Sequence, residues 1–345
     1  MKIAVVLFNL GGPDKLEAVE PFLFNLFSDP AILRVPGFVR SPLARLIARR
    51  RAPVAREIYA KIGGGSPILG QTKSQALALE QALERDGLTA ETFIVMRYAS
   101  PRAAEVVRDV KAYAPDRIVL LPLYPQFSTT TTRSSVGEWQ TEARKIGLGA
   151  PVSEVCCYPV EQGFVAAQAE LIGQAIAGMP ADTPFRLLLS AHGLPQRVIS
   201  AGDPYQVQIE QTAKAIVTAL GRETLDWAVC YQSRVGPLKW IGPATDDEIK
   251  RAGGEGVSVV IAPIAFVSEH SETLVELDIE YGHLAKAAGV PTYVRVPAVG
   301  TQAKFVEGLA RLVKEAVAVD GVVPAGGKRN CPASCGQCEL DRRVA

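Results

Sequence analysis

The sequence predicts an α/β protein built of two parallel-sheet halves, followed by a cysteine-rich C-terminal tail. Three observations predict it. Short apolar runs rich in β-branched residues alternate with helical patterns, which calls for parallel sheets covered on both faces. Distinctive residues gather just past the ends of those runs. Two pairs of segments also repeat faintly: 118–128 resembles 259–268, and 95–100 loosely parallels 229–233. Two similar halves facing each other across a cleft produce such a pattern.

Strands are expected near 3–9, 92–97, 117–123, 152–157, 185–190, 226–231, 257–263 and 292–296. Helices are expected at 72–86, 101–112, 162–177, 204–219 and 302–318. The first domain should span 1–150 and include an apolar segment at 19–51. The second should span 151–320, with the helix at 302–318 packing back on the first, and the tail 321–345. Residues 9–13, Arg97 with Tyr98, and 124–135 follow the first three strands. Ser190, Ala191, His192 and Gly193, then Tyr231, Gln232 and Ser233, then 266–272, hold the same position later. Ligands of open α/β sheets bind outside the carboxyl ends of the strands, so one shared cleft explains all of these.

The chain is 48% hydrophobic and 21% charged with 24 prolines, a globular composition. A net charge of +1 gives no reason to expect nucleic acid. The first residues read as a strand rather than a signal peptide, and no run reaches the ~18 apolar residues of a membrane span. A cytoplasmic protein with reduced or metal-bound cysteines is therefore expected.

Residues 266–281 carry the sharpest electrostatic signal. At helical steps of 100°, Glu272, Glu276 and Glu280 form one row, with Leu274, Leu277 and Tyr281 roughly opposite. No lysine or arginine of the segment neutralises that row, and like charges at i,i+4 cost about 0.2–0.5 kcal/mol each in an isolated helix. A solvated helix face is the plain reading. His270 at the head of the segment favours another, the handling of a divalent cation, of protons, or of both. His192, at the exit of a buried strand beside Gly193, is placed to accept a proton near neutral pH. His283 reads as a surface residue.

Residues 19–51 are strongly apolar yet broken by Pro21, Pro30, Pro36 and Pro42, and close on Arg49, Arg50 and Arg51. They fit either helical core or an apolar lip over a flat hydrophobic ligand, touching a membrane surface, with arginines meeting ligand carboxylates. Gly63, Gly64, Gly65 and Ser66 lack the lysine of a phosphate loop; they fit a tight turn or a close ligand approach. Cys331, Cys335 and Cys338 place three thiols within eight residues, a metal-site spacing. Of the adjacent Cys156 and Cys157, alternation along a strand lets only one reach such a metal. Zinc and an iron–sulfur cluster both suit four cysteines. Cys230 reads as a core thiol.

Together these segments resemble the ferrochelatase family, the metal chelatases (lyases) that insert Fe²⁺ into a porphyrin at the end of haem biosynthesis. The resemblance runs from residue 7 to about 318, through 7–13, 59–67, 124–128, 190–195, 232–237 and 266–281. It implies two flavodoxin-like (Rossmann-like) halves with the porphyrin between them. By this comparison His192, Glu272 and His270 are catalytic. His192, Glu272, Glu276 and Glu280 handle the iron. Leu10, Arg50, Arg51, Tyr59, Ser66, Arg97 and Tyr98 bind the porphyrin, with Leu10 standing where animal enzymes have methionine. The tail resembles that of members carrying a [2Fe–2S] cluster, held by Cys331, Cys335, Cys338 and one of Cys156 or Cys157. Its spacing departs from that of the animal enzymes. Protoporphyrin IX is the expected substrate, against coproporphyrin III, another tetrapyrrole, a haem carrier without turnover, or an iron–sulfur electron carrier. Peripheral contact with the inner membrane through 19–47 and a homodimer complete the expectations.

Overall fold

A computed structural model describes residues 1–180, 183–222, 224–234 and 236–343, so Val235 of the 232–237 motif lies outside the described residues. Among the described residues, nine strands form two all-parallel sheets. Five make the order β2-β1-β3-β4-β9: β1 Lys2–Asn9, β2 Thr89–Met96, β3 Arg117–Pro122, β4 Val152–Val155 and β9 Gly321–Val323. Four make the order β6-β5-β7-β8: β5 Phe185–His192, β6 Trp227–Gln232, β7 Ser258–Pro263 and β8 Tyr293–Arg295. All eight expected strands are present. The segment read as tail from residue 321 begins instead with β9, which pairs Ser153 with Gly321 and Val155 with Val323.

The first unit comprises Met1–Cys157 and Leu309–Lys328; the second comprises Tyr158–Gly308 and Arg329–Ala345. In the first lie α1 Val19–Ser28, α2 Gly37–Ala60, α3 Ile68–Arg85, α4 Ala103–Tyr113 and α5 Thr132–Lys145. In the second lie α6 Gln162–Ala177, α7 Gln196–Ser200, α8 Tyr205–Leu220, α9 Thr245–Gly254, a π-helix Glu272–Glu280 and α10 Tyr281–Ala287. The change of unit falls inside α11, Ala303–Val317.

Each sheet is buried as a run rather than in alternation, as parallel strands covered on both sides must be. From Ile3 to Phe8, and from Val259 to Ala262, every residue is fully buried. Phe8 meets Trp139 of α5 edge-on at 6.1 Å in the first core. Leu188, Ile249, Ile261 and Leu277 anchor the second. Burying a side chain of this size stabilises by about 1.5–3 kcal/mol.

Within α2 the inward stripe is small, Ala44, Ala48 and Ala52, which lets Phe22 and Leu23 of α1 pack close. Its large apolar residues face out: Phe38 is 83% exposed, Val54 60% and Leu46 45%. Pro42 and Pro53 lie inside this helix. The glycine run after it is a chain crossing. A Cβ on Gly65 would sit 2.3 Å from the Asp14 carbonyl oxygen, and one on Gly12 would sit 2.5 Å from Cβ of Ser66. No other residue permits these approaches.

Candidate active site

In the second unit β5 ends on His192 and β6, its neighbour, on Gln232. Gly193 lets the strand exit hug β6: its N–H donates to the Gln232 carbonyl at 2.9 Å, and a Cβ there would meet that same oxygen at 2.9 Å. The Tyr205 hydroxyl, on the first turn of α8, donates to the His192 carbonyl at 3.0 Å. These bonds fix the backbone that carries the imidazole, and the side chain stays about one-third exposed.

His192 Nδ1 lies 2.9 Å from Glu272 Oε2. A carboxylate at Nδ1 selects the Nδ1–H tautomer and leaves the Nε2 lone pair as proton acceptor. Burial pulls the His192 pKa down, but the Glu272 charge and hydrogen bond, with Glu276 behind it, outweigh burial and raise it above the ordinary histidine value. Burial likewise pushes Glu272 up. Here His192, with His270 beside it, wins and holds the carboxyl well below the usual carboxylate range.

His270 lies 3.8 Å from Glu272 Oε2 through Nε2, beyond hydrogen-bond length, and its ring meets Phe266 at 4.4 Å. It is buried, and neither ring nitrogen has a hydrogen-bond partner among the described residues. Its backbone is pinned instead: its N–H donates to Thr273 Oγ1 at 3.0 Å, and that hydroxyl donates back to its carbonyl. A buried orphan imidazole is costly unless a ligand uses it.

The helix carrying the acidic residues is a π-helix, not the α-helix the 100° reading assumed, and its i→i+5 turn closes with Tyr281 N–H on the Glu276 carbonyl. The wider turn corrects the expected face. Tyr281 does not lie opposite the acids; its hydroxyl donates to Glu276 Oε1 at 3.2 Å. Ser233 donates to Glu276 through its N–H at 2.7 Å and its hydroxyl at 2.5 Å, and Gln232 Nε2 adds a bond at 3.1 Å. Ser233 holds a left-handed φ of 61° to do so. Burial and the Glu272 charge raise the Glu276 pKa, against the lowering pull of Ser233. Glu280 is exposed, as is His283. From β8, Arg295 pairs with Asp278 at 2.7 Å and with Glu269 at 2.5 Å, clamping both ends of the segment.

The residues expected to bind a porphyrin lie in the first unit. Leu10, Tyr59 and Tyr98 meet in one apolar cluster with α1 and α2. Arg97 stacks on the Tyr98 ring at 5.0 Å. The Ser66 N–H donates to the Pro13 carbonyl at 2.7 Å, which seats Ser66 on the glycine crossing. Arg50 and Arg51 sit apart, exposed on α2, with Arg51 over the Phe27 ring at 5.6 Å.

Cys331, Cys335 and Cys338 are buried together beside Val207 and Leu340 in the second unit. Gln208 Nε2 donates to Cys331 Sγ at 3.2 Å. Arg329 donates to the Cys331 carbonyl at 2.9 Å and pairs with Asp341 at 2.5 Å. Burial raises the Cys335 pKa, and Arg329 offsets part of this. Among the described residues no set of three His, Cys, Asp or Glu side chains has the arrangement of a metal site. Cys156 and Cys157, in the first unit, differ from expectation. β4 stops at Val155, so alternation does not apply to them, and their Sγ atoms lie 3.5 Å apart.

The family model for ferrochelatase matches residues 2–317. The chain belongs to the ferrochelatase family. Among curated relatives, the ferrochelatase of Caulobacter vibrioides (strain NA1000 / CB15N) is 54% identical over 337 residues, covering 97% of this chain and 95% of that protein. That of Phenylobacterium zucineum (strain HLK1) is 55% identical over 342 residues, covering 98% of each. Among solved structures, SirB from Bacillus subtilis with Fe3+ is similar in fold, with a TM-score of 0.54 at 13% identity, covering 92% of this chain and 96% of that one. The segments 190–195, 232–237 and 266–281, all within the matched span, supply the residues that the second unit gathers around His192.

The sequence marked Gln232 and Ser233 only by their position at a strand end; their bonds to Glu276 required the fold. Tyr205, Thr273 and Arg295 gave no signal, because a tyrosine, a threonine and an arginine are common outside sites.

Proposed function

We propose that this ferrochelatase-family chain inserts Fe²⁺ into protoporphyrin IX, giving protohaem and releasing two protons. The 2.9 Å contact between His192 and Glu272 is the observation that carries it. Both pyrrole N–H groups are very weak acids, so insertion needs a base held at the ring. His192 Nε2 accepts a pyrrole proton while the Glu272 charge stabilises the imidazolium that forms. Glu272 and His270 then offer the next polar atoms. Glu276, held by donors from Ser233, Gln232 and Tyr281, is a carboxyl fixed in place behind them for Fe²⁺ and protons alike. Glu280 on the exposed end continues the row to solvent. A rigid wall built by Leu10, Tyr59 and Tyr98 bends the macrocycle and exposes its nitrogen lone pairs, a use of binding energy to strain the substrate. Arg50, Arg51 and Ser66 serve its propionates.

Anaerobic incubation with Fe²⁺ and either protoporphyrin IX or coproporphyrin III, followed by the metalloporphyrin spectrum, tests the assignment. Protoporphyrin IX is expected to give the higher kcat/KM. The exposed apolar face of α2 supports a greasy substrate delivered at a membrane surface, with Phe38, Leu46 and Val54 inserting among anionic headgroups met by the arginines between them. Phe38→Glu combined with Leu46→Glu is expected to abolish co-sedimentation with anionic vesicles and leave turnover of detergent-dispersed porphyrin intact. Unchanged sedimentation would remove the membrane role.

Cys331, Cys335 and Cys338, with one of Cys156 or Cys157, would hold a [2Fe–2S] cluster. The buried thiols suit it, as does the Gln208 N–H donor to sulfur, a bond of the kind that tunes cluster potential. The group would supply one-electron chemistry and tie down the tail, and the insertion step uses none of these cysteines. Visible and EPR spectra of the purified protein are expected to show the cluster, and a colourless, zinc-containing protein would refute it.

A further inference from the structure

Each nitrogen of the Arg97 guanidinium already faces a polar or charged neighbour. Nε donates to Ser134 Oγ at 2.8 Å, Nη2 pairs with Asp29 Oδ2 at 2.9 Å, and Nη1 pairs with Glu138 Oε2 at 3.2 Å. Glu138 in turn holds Arg102. The row Arg102, Glu138, Arg97, Asp29 alternates in sign and sums to zero charge. Asp29 is its buried end, with 2% of its side chain exposed.

Three donors converge on one oxygen of Asp29. Besides Arg97 they are the Tyr98 hydroxyl at 2.7 Å and the Ser134 hydroxyl. Its other oxygen takes the Ala31 N–H at 2.8 Å. Asp29 also caps the C-terminus of α1, where the helix dipole disfavours an anion. A carboxylate kept in that position is there for its partners rather than for the helix. It ties α1 to the Arg97–Tyr98 pair and to the start of α5. Around the pair the packing is apolar: Tyr98 and Tyr59 are buried, with the partly buried Leu10, Phe27 and Ile32 against them.

We propose that Asp29 is a specificity-determining positioning residue, which cancels the Arg97 charge so that the Arg97–Tyr98 wall receives a porphyrin edge bearing no carboxylate. The inference rests on the proposed placing of Arg97 and Tyr98 at the porphyrin. A dicarboxylic porphyrin can turn a bare edge to this wall, whereas a tetracarboxylic one must bring a charge to it and lose hydration without gaining a partner.

The test compares kcat/KM for protoporphyrin IX and coproporphyrin III across four variants. Asp29→Asn leaves the row with one positive charge in excess at its Arg97 end and is expected to shift the ratio about tenfold, or about 1.4 kcal/mol, toward coproporphyrin. Asp29→Glu keeps the charge and should keep the parent ratio. Glu138→Gln, at a more exposed position, should shift the ratio in the same direction and decides the matter if Asp29→Asn is not recovered folded. A structural role alone would lower both activities in proportion; a ratio unchanged within twofold overturns the proposal. Arg97→Gln separates the two readings. If it too leaves both substrates untouched, the wall does not face porphyrin; if it alters them while Asp29→Asn does not, only the role of Asp29 fails.

Discussion

His192→Ala is expected to lower kcat for iron insertion by at least about a hundredfold, the low end of what a positioned general base contributes. Porphyrin binding, followed by fluorescence quenching, should survive, because the wall assigned to the ring lies on Leu10, Tyr59 and Tyr98. Loss of the imidazole removes the proton acceptor and leaves Glu272 beside an empty space. The strand exit itself should hold, since Gly193 and Tyr205 engage the backbone at this point rather than the ring. Turnover within threefold of the parent protein would exclude His192 as the base.

Glu272→Gln separates charge from geometry at the same contact. The amide oxygen still accepts Nδ1–H, so the ring keeps its tautomer and orientation, but the negative charge is gone. With burial now opposed by Glu276 alone, the His192 pKa should fall from its parent value, which stands above the ordinary histidine value. The chain has three histidines, so carbon–proton NMR titration can follow each ring. Catalysis needs neutral His192, so the acid limb of kcat/KM should move to lower pH in the variant. Its plateau should nevertheless drop by about a hundredfold, because the imidazolium formed on proton transfer loses its counter-charge. For stability the signs run in opposite directions. The raised His192 value gives a contribution present in full below the ordinary histidine pKa and lost as pH rises through the folded value. The depressed Glu272 value gives one present above the ordinary carboxylate range and lost only in strong acid, as pH falls through the folded value. A His192 titration unchanged by the substitution would show that Glu272 does not control the base.

Much of the fold was legible because parallel strands buried on both faces must be apolar runs, and 3–8 and 259–262 are nothing else. β9 escaped because three residues, Gly-Val-Val, make no pattern until β4 is there to pair with them. Helical core was one reading of 19–51, but α2 was not drawn as one helix because Pro42 read as a break, and it lies inside the helix. His192, His270 and Glu272 could be marked from the sequence, since histidines are rare here and the segments that carry them lie at or beyond strand ends. Their mutual distances could not, and neither could the π-turn. An α-helix and a π-helix draw on the same residues, so Tyr281 was set opposite the acids when its hydroxyl bonds Glu276. Cys156 and Cys157 were read as alternating because the strand was drawn two residues too long.

The pairing of β9 with β4 has a consequence for the order in which the protein can be made. The first sheet draws its last strand from residues 321–323, near the far end of the chain, after the whole of the second sheet has been translated. At ~5–20 residues per second, roughly ten to thirty seconds separate the emergence of β4 from that of β9. Throughout that interval the outer edge of β4 carries unpaired backbone groups, the kind of edge on which a second chain can add a strand. A nascent chain stalled before residue 321 therefore presents an open template, and the arrival of β9 is what closes it.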